Sequence, residues 1–294
     1  MYHACRYFYI KVPTCMKGED MKLSVIIPTM QKNVKVLSTL LKVLSEDIVV
    51  DEIILIDNSG KGFDDNILAI PKLRVVINQE NKFVNPTWNQ GISLIKNDYW
   101  AILNDDILLP KGFCSIVAGH LSPKKGIFGI DKDSVILLNP EKVDLINLEK
   151  TKNLKFARSK NRLLNFGIAM FGHKSAYYNI PEDILIWYGD DYLFRMNNKY
   201  KKNNFTIGGV PVYHLHSLTS GSKDVIKNRI SPEDEEAFSK YFITTSFTFL
   251  EKMFSFKNVY CGNTKDKVLF FLGIKFVLYS KPVHFDIDKK CWVE

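Results

Sequence analysis

The feature that most constrains the fold is a series of short, nearly continuous apolar runs, each closed by polar or turn-forming residues. Leu23–Pro28, Glu52–Asp57, Leu73–Asn78 and Tyr99–Leu103 are rich in Val, Ile and Leu, with little alternation. A strand buried on both faces reads this way, whereas a half-solvated strand alternates. Between the runs lie segments of helical spacing: Asn33–Asp47, with Val34, Leu37, Leu40, Leu41 and Leu44 near one face, and Thr87–Lys96. Strands alternating with helices predict an α/β fold, a mainly parallel Rossmann-like sheet with flanking helices.

Beyond Leu103 the pattern changes. Val135–Leu138 and Phe166–Phe171 read as further strands, and Ile184–Asn197 as a loop entering a helix. Thr206–His216 reads as a strand with glycines near its start. Ser231-Pro232-Glu233-Asp234 has a Ser for the N-cap, Pro at the first helical position and an acid at the third, so a helix is expected from there to about Phe254. The expected organisation is an extension over 1–20, a main domain over 21–222, and a helical, aromatic and basic appendage over 223–294.

Charge and cysteine usage narrow the partners. The 294 residues carry a formal net charge of +8, which favours polyanions, phosphorylated small molecules among them. The densest basic cluster is Lys199, Lys201 and Lys202, too sparse for a nucleic-acid patch, so no nucleic acid is expected. The five cysteines have no C-x-x-C spacing and are odd in number, arguing against a zinc site or a disulfide framework and for a reducing, cytoplasmic compartment. Residues 1–20 lack the uninterrupted apolar core of a signal peptide. The longest apolar run, Val268–Tyr279, is too short to span a bilayer and contains Lys275. With Lys265 and Lys267 beside it, this run fits a surface lying against the inner membrane face, or ordinary core.

Ligands of open α/β sheets bind beyond the carboxyl ends of the strands. Three strand ends carry polar groups there: Pro28-Thr29, Asp57-Asn58 and Asn104-Asp105-Asp106. Asp57 could accept from a base N–H or a ribose hydroxyl, or simply form a turn. Asp105 and Asp106 are adjacent carboxylates that repel each other unless a cation or donor intervenes. Magnesium and manganese commonly take one or two carboxylates plus phosphate oxygens. Trp187-Tyr188-Gly189-Asp190-Asp191 is a second acidic pair, where aromatic neighbours would raise a carboxyl towards a working base; helix capping would explain it too. His214 and His216, two apart on a strand, face one side, and either could complete a metal shell. Asn81, Asn85, Asn89 and Gln90 surround Trp88, and their amides could hold a base or a diphosphate, or build a polar turn.

Taken in order, these segments resemble the family 2 glycosyltransferases of the GT-A fold. Val25-Ile26-Ile27-Pro28-Thr29 is similar to that family's first strand, and Glu52–Ser59 to its second, with the acid that contacts the nucleobase. Asn85–Gly91 resembles its N-x-G segment. Ile102–Asp106 resembles the Asp-x-Asp motif with Asn104 in place of the first Asp. Tyr188–Leu193 resembles the Glu-Asp motif with Asp190 replacing Glu, and Val212–Ser217 the late His segment. The likeness covers about Met21–Ser222.

The resemblance implies an inverting, metal-dependent hexosyltransferase. Its donor would be a nucleotide diphosphate-sugar, UDP-sugar by default, bound by Pro28, Thr29, Asp57, Asn58, Asn85, Asn89 and Asp105. Asp106, Asp105 and His214 would hold Mn2+ or Mg2+. Asp191 would be the base and Asp190 the acid on the acceptor side. The acceptor would be a hydroxyl of a glycan or lipid-linked molecule, in surface polysaccharide or lipopolysaccharide synthesis. Residues 29–33, Thr-Met-Gln-Lys-Asn, contain no glycine, which argues against a sugar nucleotidyltransferase, and no G-x-G-x-x-G follows any strand, which argues against a dinucleotide dehydrogenase. A non-catalytic nucleotide-sugar or carbohydrate-binding protein is the remaining alternative; it would have no use for Asp191.

Overall fold

The computed structural model describes residues 21–151, 153–215 and 231–242, and the strand segments 254–261, 264–271, 274–282, 284–286 and 291–293. The extension over 1–20 and His216 lie outside the described residues.

The chain opens β1 (Leu23–Thr29), α1 (Val34–Ser45), β2 (Val50–Asp57), α2 (Asp65–Leu68), β3 (Leu73–Ile77), α3 (Val84–Leu94) and β4 (Tyr99–Leu103). There follow β5 (Ile107–Leu108), α4 (Phe113–Ala118), β6 (Phe128–Ile130), β7 (Val135–Leu137), β8 (Lys155–Ser159), β9 (Ala169–His173), α5 (Gly189–Lys199), β10 (Asn204–Gly208) and β11 (Val212–His214). The main sheet has the order β3-β2-β1-β4-β9-β6-β10-β8. Its first four strands are mutually parallel, and β9 runs antiparallel to both β4 and β6.

The apolar runs of β1 and β2 are buried as their pattern requires, with Leu23, Val25, Ile26, Ile27 and Ile53 to Ile56 inaccessible to solvent, whereas β3 lies at the sheet edge and is only partly covered, with Ile77 exposed. Helix α1 starts where the Asn33 side chain accepts from the Val36 N–H at 3.0 Å. It buries Val36, Leu37, Leu40, Leu41 and Leu44 in the core; Val34, expected on that face, is exposed at the helix start. Three expected strands differ in detail: Thr206–His216 is broken after Gly208 into β10, in the main sheet, and β11, in a second sheet. Phe166–Ile168 is a 3-10 turn leading into β9. β7 leaves the main sheet and pairs in parallel with β11 in that second sheet, β5-β11-β7.

One detail of pairing opens the functional face. β1 pairs with β2 as far as Thr29↔Asp57, but with β4 only as far as Ile26↔Ile102. Pro28, which has no N–H to give, lies beyond that last β4 pair. The carboxyl ends of β1 and β4 therefore part, at the point where strand order reverses.

Helix α6 (Ser231–Phe242) completes the helices described. The chain divides into compact units Met1–Phe238 and Ser239–Glu294, a boundary inside α6 rather than after Ser222. The second unit corrects the expectation of a helical appendage. Its described residues from Phe254 on are strands: β12 (Phe254–Cys261), β13 (Thr264–Phe271) and β14 (Ile274–Pro282) form an antiparallel meander, and β15 (His284–Asp286) pairs with β16 (Cys291–Val293). The pairs Cys261↔Thr264 and Phe271↔Ile274 leave two residues for each connection, Gly262-Asn263 and Leu272-Gly273. Two-residue links rich in Gly and Asn favour hairpins, and the Val- and Phe-rich flanks favour strand. No described helix is long and apolar enough to cross a membrane.

Candidate active site

At the parted ends of β1 and β4, the Thr29 hydroxyl donates to Asp105 Oδ2 at 2.5 Å, and the Gln31 N–H donates back to Thr29 Oγ1 at 2.8 Å. Burial pushes the Asp105 carboxyl up to about 6; the Thr29 hydrogen bond opposes this and the neighbouring Asp106 charge adds to it. Asp105 is thus tied to the β1 loop.

Asp106 has a different environment. Immediately after it, β5 pairs antiparallel with β11 in the register Ile107↔His214, and the Leu215 N–H donates to the Asp106 carbonyl at 2.9 Å. That register places His214 Nε2 3.3 Å from Asp106 Oδ1. Both side chains are buried, and Asp106 Oδ1 receives no hydrogen bond. A buried carboxylate oxygen without a donor, facing an imidazole nitrogen, suits a divalent cation, whose neighbouring ligands at about 2.1 Å lie roughly 3 Å apart. Among the described residues no three His, Cys, Asp or Glu side chains converge on one point. Among the described residues, Asp106 and His214 are the pair that could contribute to a cation site, leaving further positions for phosphate oxygens.

The second acidic pair forms the first turn of α5. Asp191 Oδ2 accepts from Arg162 Nη2 at 2.5 Å, and Arg162 Nε lies 3.6 Å from Asp190 Oδ2. Burial would lower the Arg162 pKa, but the hydrogen bond to Asp191 and the charges of both carboxylates raise it, so the guanidinium stays charged. Burial pushes the Asp190 carboxyl up to about 6; Arg162 opposes this shift and Asp191 reinforces it. Two glycines allow this packing. A Cβ at Gly167 would stand 2.8 Å from Asp190 Oδ2, and one at Gly189 would stand 2.0 Å from Asn85 Oδ1. The sequence reading missed Arg162 and Gly167. A lone Arg in a polar stretch far from the acids carries no local signal, and only the fold brings it to them.

Several residues expected to touch the donor are engaged elsewhere. Asp57 Oδ1 accepts from the Ser59 N–H and hydroxyl, and Oδ2 accepts from the Gly62 N–H. Burial works to raise this carboxyl, but those bonds outweigh it and hold it below the ordinary value. Asn58 donates to Thr87 Oγ1 at 2.8 Å and accepts from Asn78 Nδ2 at 2.7 Å. Asn85, fully buried, donates to the carbonyls of Ile184 and Trp187 at 3.1 and 3.0 Å. Asn89 donates to the Ile180 carbonyl and accepts from the Tyr177 hydroxyl. In this structure the two α3 amides hold the 180–187 segment, and Asp57 and Asn58 brace the loops beyond β2 and β3.

A large central sheet whose first four strands run parallel between helices, parted at the ends of β1 and β4, is a GT-A fold. Residues 24–180, more than half of the chain, match the family model of Glycosyl transferase family 2, and the protein belongs to that family. The match ends before the second acidic pair and His214. No curated protein matches the sequence. Among solved structures, S. aureus TarS (residues 1–349) is similar at 14% identity, with a TM-score of 0.46 over 78% of this chain and 74% of that one. The mannosyltransferase PcManGT from Pyrobaculum calidifontis, solved with GDP-Man and Mn2+, is similar at 12% identity, with a TM-score of 0.48 over 70% of this chain and 61% of that one.

Proposed function

We propose that this glycosyltransferase is an inverting, metal-dependent hexosyltransferase. It moves a sugar from a nucleotide diphosphate-sugar, UDP-sugar first among the candidates, to a hydroxyl of a glycan or lipid-linked acceptor. The observation that carries the reading is the Asp106–His214 pair, with a carboxylate oxygen that lacks a donor. Bound there, Mn2+ or Mg2+ would neutralise charge on the diphosphate as it leaves, with no need for a proton donor. Asp106 and His214 would hold that cation, while Asp105, tied to Thr29, shapes the wall beside β1. Asp191 takes the proton from the acceptor hydroxyl as that oxygen bonds to the anomeric carbon. The bond from that carbon to the diphosphate oxygen breaks at the opposite face, and one displacement inverts the centre. Arg162 fixes the direction of the Asp191 carboxylate, and Asp190 stands on the acceptor side.

A second reading exchanges the two acids. It is favoured by the Asp190 carboxyl, raised to about 6 by burial, closer to the range of a working base. Comparing Asp190→Asn with Asp191→Asn separates the two: the base variant loses turnover, and the other chiefly loses acceptor affinity. The class itself is tested with a panel of nucleotide sugars, with and without Mn2+ or Mg2+. Metal-dependent transfer or donor hydrolysis supports it; binding without turnover under every condition favours the non-catalytic alternative.

The wider setting we propose is surface polysaccharide or lipopolysaccharide synthesis, in the cytoplasm with peripheral contact at the inner membrane face. The support is the net charge of +8 and the exposure of Phe276, Val277, Leu278 and Tyr279 along β14. The surface offered is then an edge strand, not the helix expected from the sequence.

A further inference from the structure

The segment that delivers the second acidic pair has little regular structure of its own. It runs from Pro181 to Tyr188, where the backbone turns left-handed at φ 61° before α5 begins. Three consecutive amides in it point at one side chain. Leu185 N–H donates to Asp234 Oδ1 at 2.7 Å, and Ile186 and Trp187 N–H both donate to Asp234 Oδ2 at 2.8 Å. Asp234 is on α6 and is fully buried. From the other side, Asn85 donates to the Ile184 and Trp187 carbonyls, and its own N–H donates to the Leu185 carbonyl at 2.9 Å. One turn along α6 from Asp234, the Phe238 ring stacks on Tyr188 at 5.0 Å, with an interplanar angle of 22°. The Arg195 guanidinium of α5 lies 5.0 Å from the same Phe238 ring.

The sequence accounts for Asp234 as an acid in the first turn of a helix. That role would leave its carboxylate on its own helix; here it is spent on three N–H groups of a different segment. Charge-assisted bonds of this kind are about twice as strong as neutral ones. They fix the peptide planes of 185–187, three residues before the acids, and so set the direction in which the first turn of α5 leaves.

We propose that Asp234 is a positioning residue for the acidic pair. Its carboxylate, with the Phe238–Tyr188 stack, holds the 185–188 backbone in the geometry that aims Asp191 at the acceptor hydroxyl. Asp234 itself touches neither substrate nor reacting atoms. The inference rests on the reading of Asp191 as the base.

The test is a double-mutant cycle on the full chain, with Asp234→Asn, Asp191→Asn and the double variant compared with wild type. Asn keeps the size but loses the charge and turns a donor towards an N–H. Because small misplacements of a reacting group cost up to about a hundredfold, Asp234→Asn should lower kcat roughly ten- to a hundredfold while donor KM stays within about twofold. If Asp234 acts through Asp191, the double variant should be little worse than Asp191→Asn alone, a non-additivity that a purely structural role does not produce. Unchanged kcat in Asp234→Asn, or losses that multiply in the double variant, overturns the proposal. Unchanged turnover in Asp191→Asn instead overturns the assignment of the base, and this inference with it. Should Asp234→Asn fail to fold, Phe238→Leu disturbs the same segment without stranding a buried charge. A kcat loss there that vanishes in the Asp191→Asn background supports the proposal, and an unchanged kcat overturns it.

Discussion

The two carboxylate centres of this molecule are built by opposite means. Asp106 and His214 meet because two short strands pair in one register, Ile107↔His214, and a single slip would separate them. Asp190 and Asp191 start a helix, but their surroundings come from residues scattered along the chain: Arg162 and Gly167 before them, Asn85 far earlier and Asp234 well after. The first centre is held by backbone hydrogen bonds of a sheet. The second is held by side chains, each of which can be removed alone. The first should therefore fail all at once, and the second by degrees.

The largest effect expected is at the first centre. Chelation with EDTA should abolish transfer, and added Mn2+ or Mg2+ should restore it, whereas Asp106→Ala should stay inactive whatever metal is supplied. Full activity in chelator would remove the metal from the mechanism and leave the centre as an ordinary buried pair.

Next comes the base. Asp191→Asn should cost about a hundred- to ten-thousandfold in kcat, the usual contribution of a positioned base, with donor affinity little changed. Asp190→Asn should act mainly on acceptor KM. If the two phenotypes are exchanged, the buried acid is the base; if neither variant loses turnover, the pair is only a helix cap.

The pH dependence sharpens the comparison, because each centre has one carboxyl raised from 3.8 to about 6, Asp105 and Asp190. Between those values these two carboxyls hold more protons in the folded than in the unfolded chain, so their contribution to stability falls as pH rises from 3.8 to about 6. Turnover should move the other way and rise through a limb near 6 as the carboxyls ionise. Arg162 opposes the Asp190 shift, so Arg162→Gln should move that part of the acid limb to higher pH. An unmoved limb would show that Asp190 does not control it. Melting temperature and kcat measured across pH 4 to 8 read both effects.

The smallest effect concerns the second unit. Weak binding to anionic vesicles is expected at low salt, lost as salt rises, and reduced by replacing Phe276 and Leu278 with Ser. Absence of co-sedimentation at low salt counts against the membrane contact.

The contrast also explains how far the sequence could be read. The core strands β1, β2 and β4 were legible because a strand buried on both faces leaves an uninterrupted apolar run. Asp106 was legible because strand ends are where such folds place ligands, and His214 because the family resemblance supplied a late His. Arg162 and Asp234 were not, since nothing within ten residues of either marks a partner on another element. Asn85 and Asn89 left two readings open because amides serve ligands and backbone equally well, and their partners on the 180–187 segment emerge only from the fold. The tail was misread for a different reason. Val268–Tyr279 reads as one apolar stretch, although Gly273 interrupts it at hairpin spacing and Gly262-Asn263 sits at the same spacing before β13.

The close approach of Gly189 to Asn85 has a consequence for how this enzyme can vary. A would-be Cβ at 189 would stand 2.0 Å from the Asn85 amide oxygen and 2.9 Å from the Trp88 ring, so position 189 cannot gain a side chain alone. Any side chain at 189 needs a smaller or retracted partner at 85, and that partner must still serve the carbonyls of Ile184 and Trp187. A mutational library built on this scaffold should therefore return single substitutions at 189 as depleted, and recoverable only beside compensating changes at 85 and 88.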